Sequence, residues 1–119
     1  MMKEKNEILE RSLKFAVRIV KMYQYLCHDK KEFILSKQIL RSGTAIGAMV
    51  REAEHAESKA DFIHKMSLAL KEAYETDYWL VLLKKTDYLN EKQYSDIDKD
   101  MKIMLKMLTA IVKSAKSNR

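Results

Sequence analysis

Proline is absent from this 119-residue sequence, and glycine occurs only as Gly43 and Gly47. Proline and glycine are the residues that most often break helices and form the tight turns between β-strands. Most of the other residues, notably Leu, Lys, Glu, Ala and Met, favour helix. The sequence therefore predicts an all-α fold.

Apolar residues recur at helical spacing in four blocks, which predict helices at about residues 6–27, 33–56, 59–85 and 91–115. Long helices joined by short connections run antiparallel to their neighbours along the chain. We therefore expect residues 1–119 to form one domain, an up-down-up-down antiparallel four-helix bundle. One apolar stripe on each helix supplies the predicted core, which comprises Ile8, Leu9, Phe15, Ala16, Ile19, Val20, Met22, Tyr23, Leu26, Cys27, Leu35, Ile39, Ile46, Met49, Val50, Ala53, Phe62, Met66, Ala69, Leu70, Ala73, Leu80, Tyr94, Ile97, Met101, Met104, Leu105, Leu108, Ile111 and Val112.

Two capping signals mark the starts of the third and fourth helices. Ser58 with Asp61, and Asn90 with Gln93, have the spacing of a capping box, in which two side chains bond free N–H groups at a helix start. We expect these helices to begin directly after Ser58 and Asn90.

Lys and Arg number 23 against 17 Asp and Glu, which leaves a net charge of +6. Many of these cations recur on the helix sides that face away from the predicted core. Such rows neutralise phosphates without reading bases, so they predict nucleic-acid binding that weakens as salt rises. The alternative is a solvated charged surface without a ligand. The candidate phosphate-binding residues are Arg11, Lys14, Arg18, Lys21, Lys37, Arg41, Arg51, Lys99, Lys102, Lys106 and Lys113.

Both glycines lie inside the second predicted helix, where each costs about 1 kcal/mol relative to Ala unless a side chain must be absent. Gly43 and Gly47 share a smooth stripe with Leu40, to one side of the core direction. Small residues four apart let another backbone come close. The sequence leaves two possibilities open, a contact between subunits and a close crossing inside the same bundle.

The third predicted helix is apolar around its whole circumference near residues 78–83. Leu68, Trp79 and Leu82 lie well away from its core face, and Tyr78 adjoins them. An exposed apolar surface of this size is typical of an interaction site, so we expect self-association, with Trp79 as an anchor. The alternative is that the fourth helix wraps further round and covers these residues.

No complete catalytic or metal-binding motif occurs in the sequence. Glu52 and His55 have the Glu-x-x-His spacing of a carboxylate-bridged metal site, but such a site needs two of these motifs and two more Glu residues. Cys27 is the single cysteine, and a buried cysteine acts mainly as a small apolar residue. We therefore expect a non-enzymatic protein without metal or cofactor.

Targeting signals are also missing from the pattern. The first ten residues are polar and charged, and no apolar run approaches the length needed to span a membrane. We expect a cytoplasmic protein that makes no contact with a membrane.

Several ordered segments carry a family resemblance. They are residues 15–20 (FAVRIV), 35–48 (LSKQILRSGTAIGA), 56–62 (AESKADF), 69–73 (ALKEA) and 75–80 (ETDYWL). The chain resembles the bacterial four-helix-bundle family of proteins encoded in intervening sequences within 23S ribosomal RNA genes. That family is similar to the accessory variability proteins of diversity-generating retroelements.

The resemblance implies a four-helix bundle, a ring-like homo-oligomer of five subunits, and association with RNA or with a reverse transcriptase. It implies no enzymatic activity. Together with the basic helix faces, it favours an oligomeric protein that binds structured RNA with little sequence specificity. The alternative function is a protein-interaction scaffold, for example an accessory subunit of a reverse transcriptase, without a direct RNA role.

Overall fold

The computed structural model describes residues 2–118, with side chains from residue 6 onward. Four helices span Met2–His28 (α1), Leu35–Glu54 (α2), Lys59–Lys85 (α3) and Glu91–Ser117 (α4). The described residues contain no β-strand. The predicted all-α four-helix bundle is confirmed, and the predicted helices begin and end within four residues of the observed ones.

The helices pack in the order of the chain. α1 packs on α2, α2 on α3 and α3 on α4, while α4 closes the ring against α1 through a sparser contact. The described chain forms a rod of 46 × 22 × 19 Å. α1 and α3 lie diagonally opposite each other, as do α2 and α4, so each helix presents one outward side to solvent.

The core runs along the axis of the rod and contains one row of apolar side chains from each helix. Phe15, Ile19, Ile46, Leu80 and Met101 are among its fully buried members. Val20 was predicted to widen the core, but its side chain is exposed. Four buried apolar side chains were not predicted to belong to the core, namely those of Ile63, Leu83, Leu89 and Ala115.

Capping residues start α3 and α4 where the sequence predicts. Asn90 and Gln93 form a complete capping box, with N···O distances of 2.8 and 2.9 Å. Ser58 Oγ accepts a hydrogen bond from the Asp61 N–H at 3.0 Å. The Asp61 carboxylate accepts from the Glu57 N–H rather than from Ser58, so the second predicted box is only half formed.

The start of α2 is capped by Glu32, which was not predicted as a capping residue. Its buried carboxylate accepts hydrogen bonds from the N–H groups of residues 34, 35 and 36, at 3.2, 3.1 and 2.7 Å. The Ser36 hydroxyl donates to the Glu32 carbonyl oxygen at 2.8 Å. A negative charge at a helix N-terminus is favourable, because the unpaired N–H groups there carry partial positive charge.

Candidate nucleic-acid interface

The outward side of α4 carries lysines at intervals of seven residues. Lys99, Lys106 and Lys113 were predicted, and Lys92 extends their row by one interval. Seven residues are nearly two helical turns, so these side chains lie on one side of α4, about 10.5 Å apart along its axis. All four are exposed, and no carboxylate among residues 6–118 lies within ion-pair distance of them. We call these four residues the α4 lysine stripe.

Lys102 lies beside the α4 lysine stripe but binds two carboxylates. Its Nζ is 2.7 Å from Asp98 Oδ1 and 3.2 Å from Asp77 Oδ1. The hydrogen bond to Asp98, followed by the one to Asp77, raises the pKa of Lys102. This predicted phosphate ligand therefore joins α4 to α3 and is less available to an anion than its neighbours.

The predicted basic row on α1 is largely paired with acidic residues. Arg11 lies 3.2 Å from Glu7, and Lys14 lies 2.9 Å from Glu10. Arg18 reaches across to α4, where its guanidinium is 2.5 Å from Asp100. Of this row, only Lys21 has no ion pair among the described side chains.

The three predicted cations of α2 have different surroundings. Arg41 forms ion pairs with Glu72 and Glu75 of α3, and the hydrogen bond to Glu75 is the main cause of its raised pKa. Lys37 and Arg51 are exposed and have no carboxylate partner in the described part of the chain. Five of the eleven predicted cations, namely Arg11, Lys14, Arg18, Arg41 and Lys102, thus form ion pairs with carboxylates of the chain.

Gly43 and Gly47 lie where α2 crosses α1 of the same chain. A Cβ atom at Gly43 would lie 2.8 Å from two side-chain carbons of Ile19, and one at Gly47 would lie 3.3 Å from the Ser12 carbonyl oxygen. The first distance is shorter than any ordinary contact. The structure thus favours the close crossing inside the bundle as the reason for both glycines. Leu40, which shares their stripe, is half-buried.

An apolar row that was not predicted lies on the outward side of α1. Leu13 is 55% exposed, Val17 48% and Val20 38%. We call these three residues the α1 apolar stripe. Leu13, at one end of the stripe, lines an open groove between α1 and α2 together with Thr44 and Ala48. Their spacing of four and three residues could have revealed a second apolar face on the helix.

The exposed aromatic residues of α3 are tyrosines. Tyr74 is 57% exposed and Tyr78 58% exposed, and we call this pair the α3 aromatic face. Trp79 is half-buried against the core, and its indole N–H donates a hydrogen bond to Glu75 Oε2 at 3.0 Å. Tyr78 rather than Trp79 is thus the exposed aromatic residue of the predicted interface. Its other two members, Leu68 and Leu82, are half-buried as well.

The described part of the molecule contains no cluster of side chains that could hold a metal ion. Across residues 6–118, no three His, Cys, Asp or Glu side chains lie close enough together to hold a metal ion. Glu52, a member of the single Glu-x-x-His motif, instead forms an ion pair with Lys65 at 2.8 Å.

No described helix is long and apolar enough to cross a membrane.

The sequence and the structure were both compared with those of known proteins. The sequence matches the family described as 23S rRNA-intervening sequence protein over residues 4–110. A crystal structure of a protein of unknown function from the S23 ribosomal protein family of Bacteroides thetaiotaomicron superposes with a TM-score of 0.91. It is 54% identical in sequence, and the match covers 92% of this chain and 98% of that one. A search of curated proteins gave no match. The chain belongs to the family of 23S rRNA-intervening sequence proteins.

Proposed function

We propose that this protein is a non-enzymatic homo-oligomer that binds structured RNA through the α4 lysine stripe. The observation that carries the proposal is the row of exposed lysines without carboxylate partners among the described side chains. The family's link to 23S ribosomal RNA favours RNA over DNA as the ligand. A cytoplasmic location is part of the same proposal.

The composition of α4 supports binding with little sequence specificity. Reading a base edge usually requires the paired hydrogen-bonding groups of Arg, Asn or Gln. The α4 segment contains no Arg and no Asn, and its single Gln, Gln93, bonds the backbone of Asn90. Lysine presents a point charge that suits phosphate contacts. The expected ligand is therefore the phosphate backbone.

Titration of a labelled RNA stem-loop at increasing KCl concentrations tests this proposal. Replacing Lys99 and Lys106 by Gln should weaken binding. It should also reduce the slope of log affinity against log salt by about 2, because each lost phosphate contact lowers that slope by about 0.9. The matched control replaces Lys65 and Lys84, which have carboxylate partners at 2.8 and 2.9 Å.

We expect the control variant to retain nearly all of the wild-type slope, although it loses the same formal charge. Wild-type protein that fails to bind at low salt, or whose affinity ignores salt, would contradict RNA binding. Equal effects of the two double variants would show that net charge, and not the α4 lysine stripe, determines the affinity.

Self-assembly is the second part of the proposal, and it rests on the two exposed apolar surfaces. A ring with an odd number of subunits, such as the pentamer implied by the resemblance, must join two different patches of neighbouring copies. The α1 apolar stripe and the α3 aromatic face belong to diagonally opposite helices, which suits such head-to-tail contact. Assembly would place several lysine stripes near one RNA and raise its affinity.

A protein-interaction scaffold is the alternative, and the same exposed apolar residues support it. In that case the α1 apolar stripe or the α3 aromatic face receives another protein, such as a reverse transcriptase. Purification after nuclease treatment separates the two functions. A protein partner that remains bound would favour the scaffold, whereas loss of all bound material together with the nucleic acid would favour RNA binding.

A further inference from the structure

The loop between α1 and α2 displays two large apolar side chains at one end of the bundle. Phe33 is 53% exposed, and Ile34, at 74%, is the most exposed large apolar residue in the described chain. Neither residue belongs to the surfaces assigned above to assembly or to phosphate binding. We call residues 29–34, with the α3–α4 turn at the same end, the bundle tip.

This loop is held in one conformation by hydrogen bonds. The Glu32 N–H donates to the Leu26 carbonyl at 2.9 Å, and the buried Glu32 carboxylate binds three N–H groups at the start of α2. Lys31 has a φ of 54°, which is unusual for a residue other than glycine. Because the backbone is hydrogen-bonded on both sides of Phe33, binding through this residue requires little ordering of the backbone.

Exposed lysines outnumber unpaired carboxylates at the bundle tip. Two of the carboxylates of the bundle tip are engaged, since Asp29 bonds His28 at 2.9 Å and Glu32 is buried in its cap. Asp87, in the α3–α4 turn, is an exposed acidic residue. Four lysines of this end are exposed without an ion pair among the described side chains, namely Lys30, Lys31, Lys37 and Lys85.

We propose that the bundle tip binds an unpaired nucleotide of RNA, with Phe33 stacking on the base and Lys30, Lys31 and Lys37 contacting the adjacent phosphates. Aromatic side chains surrounded by cations bind single-stranded nucleic acid in this way, since every base has a flat face. A lipid bilayer is a less suitable ligand, because two adjacent apolar side chains offer only a small surface for insertion. A second copy of the tip is also less suitable, because the lysines of the two tips would repel each other. The inference rests on the proposed RNA binding and names the part of the RNA that is recognised.

The test uses a stem-loop with 2-aminopurine in its loop and a blunt duplex of the same stem. Stacking on Phe33 should change the 2-aminopurine fluorescence when the protein binds. Phe33→Ala and Phe33→Leu should each lower the affinity for the loop by about 5- to 150-fold, the range that corresponds to the loss of one base-stacking aromatic side chain. Phe33→Trp should retain that affinity, and affinity for the duplex should stay within about twofold of wild type in all three variants.

Phe33→Leu is the decisive variant, because it keeps an apolar side chain and removes only the aromatic face. Loop affinity unchanged by this variant would overturn the stacking proposal, as would an equal loss for loop and duplex. Binding to phosphatidylglycerol vesicles that survives Phe33→Leu but not Phe33→Ala would assign the tip to a membrane surface and also overturn it. Duplex binding without loop preference refutes the tip alone, whereas absence of both refutes the proposed function with it.

Discussion

At Gly43, the absence of a side chain lets α1 and α2 approach each other closely. The space that a Cβ would need is filled by Ile19, which is fully buried and branched at Cβ. A β-branched side chain has few alternative rotamers, so it cannot easily move aside. The sequence showed that the glycines must be there for a reason, but only the three-dimensional contact identified the partner as α1 of the same chain.

Gly43→Ala should therefore destabilise the fold, although alanine is the better helix former. Overpacking costs about 1–3 kcal/mol and the gain in helix propensity is about 1 kcal/mol, so we expect a net loss of up to about 2 kcal/mol. Urea unfolding measures the change. In an Ile19→Ala background the added methyl group should cost less, and a double-mutant cycle without this coupling would contradict the contact.

At the scale of elements, α2 and α3 are joined by a polar cluster on their outer seam. Arg41 of α2 forms ion pairs with Glu72 and Glu75, and Glu75 also accepts the indole N–H of Trp79. Deeper in the seam, the Thr76 hydroxyl donates to Ser42 Oγ at 2.9 Å. Helix boundaries and the capping residues Ser58 and Asn90 could be predicted because they depend on neighbouring residues. These cross-helix pairs could not, since their members are more than thirty positions apart in the chain.

Acid should weaken the stabilisation that this seam contributes to the fold. The hydrogen bond from Trp79, followed by the one from Arg41, lowers the pKa of Glu75 below its ordinary value of 4.5. The folded state therefore favours the ionised form. Its stabilising contribution is present above pH 4.5 and is lost as the pH falls through the lower folded-state pKa.

Trp79 is the single tryptophan, so its fluorescence reports on this site. We expect emission to titrate with a midpoint below pH 4.5. Arg41→Gln should move that midpoint upward, and Glu75→Gln should abolish the transition. A midpoint that is unaffected by the loss of Arg41 would show that the ion pair contributes little to the carboxylate's ionisation.

At the scale of the whole molecule, the α4 lysine stripe lies on a different helix from the α1 apolar stripe and the α3 aromatic face. The α4 lysine stripe faces away from α2, the helix diagonally opposite α4. The α1 apolar stripe and the α3 aromatic face lie on the other two helices, each of which packs between α2 and α4. A ring that joins α1 of one copy to α3 of the next would leave α4 uncovered. In the proposed assembly, one subunit would therefore contribute to the ring and to RNA binding at the same time.

Two single variants can test this head-to-tail contact. Val17→Glu and Tyr78→Glu should each reduce the particle from an oligomer to a monomer of 14.0 kDa, because a buried unpaired charge disfavours the interface. Mixing the two variants should give a dimer, since one intact pair of faces remains. Light scattering after gel filtration measures the masses.

Thr109→Glu, at an exposed position of α4, serves as the control and should leave the assembly unchanged. A wild-type protein that is monomeric at micromolar concentration would contradict self-assembly. Two variants that keep the oligomeric mass would place the interface elsewhere on the molecule.

The sequence by itself determined the fold class, the four helices, most of the core and the lysine row on α4. These features follow from periodicity within single helices, which depends on the spacing of nearby residues. Only the tertiary structure decided which cations pair with carboxylates of other helices, which helix the glycines face, and that Trp79 is half-buried while Tyr78 is exposed. Such properties depend on which residues of other helices are brought alongside, and a pattern within one helix does not contain that information.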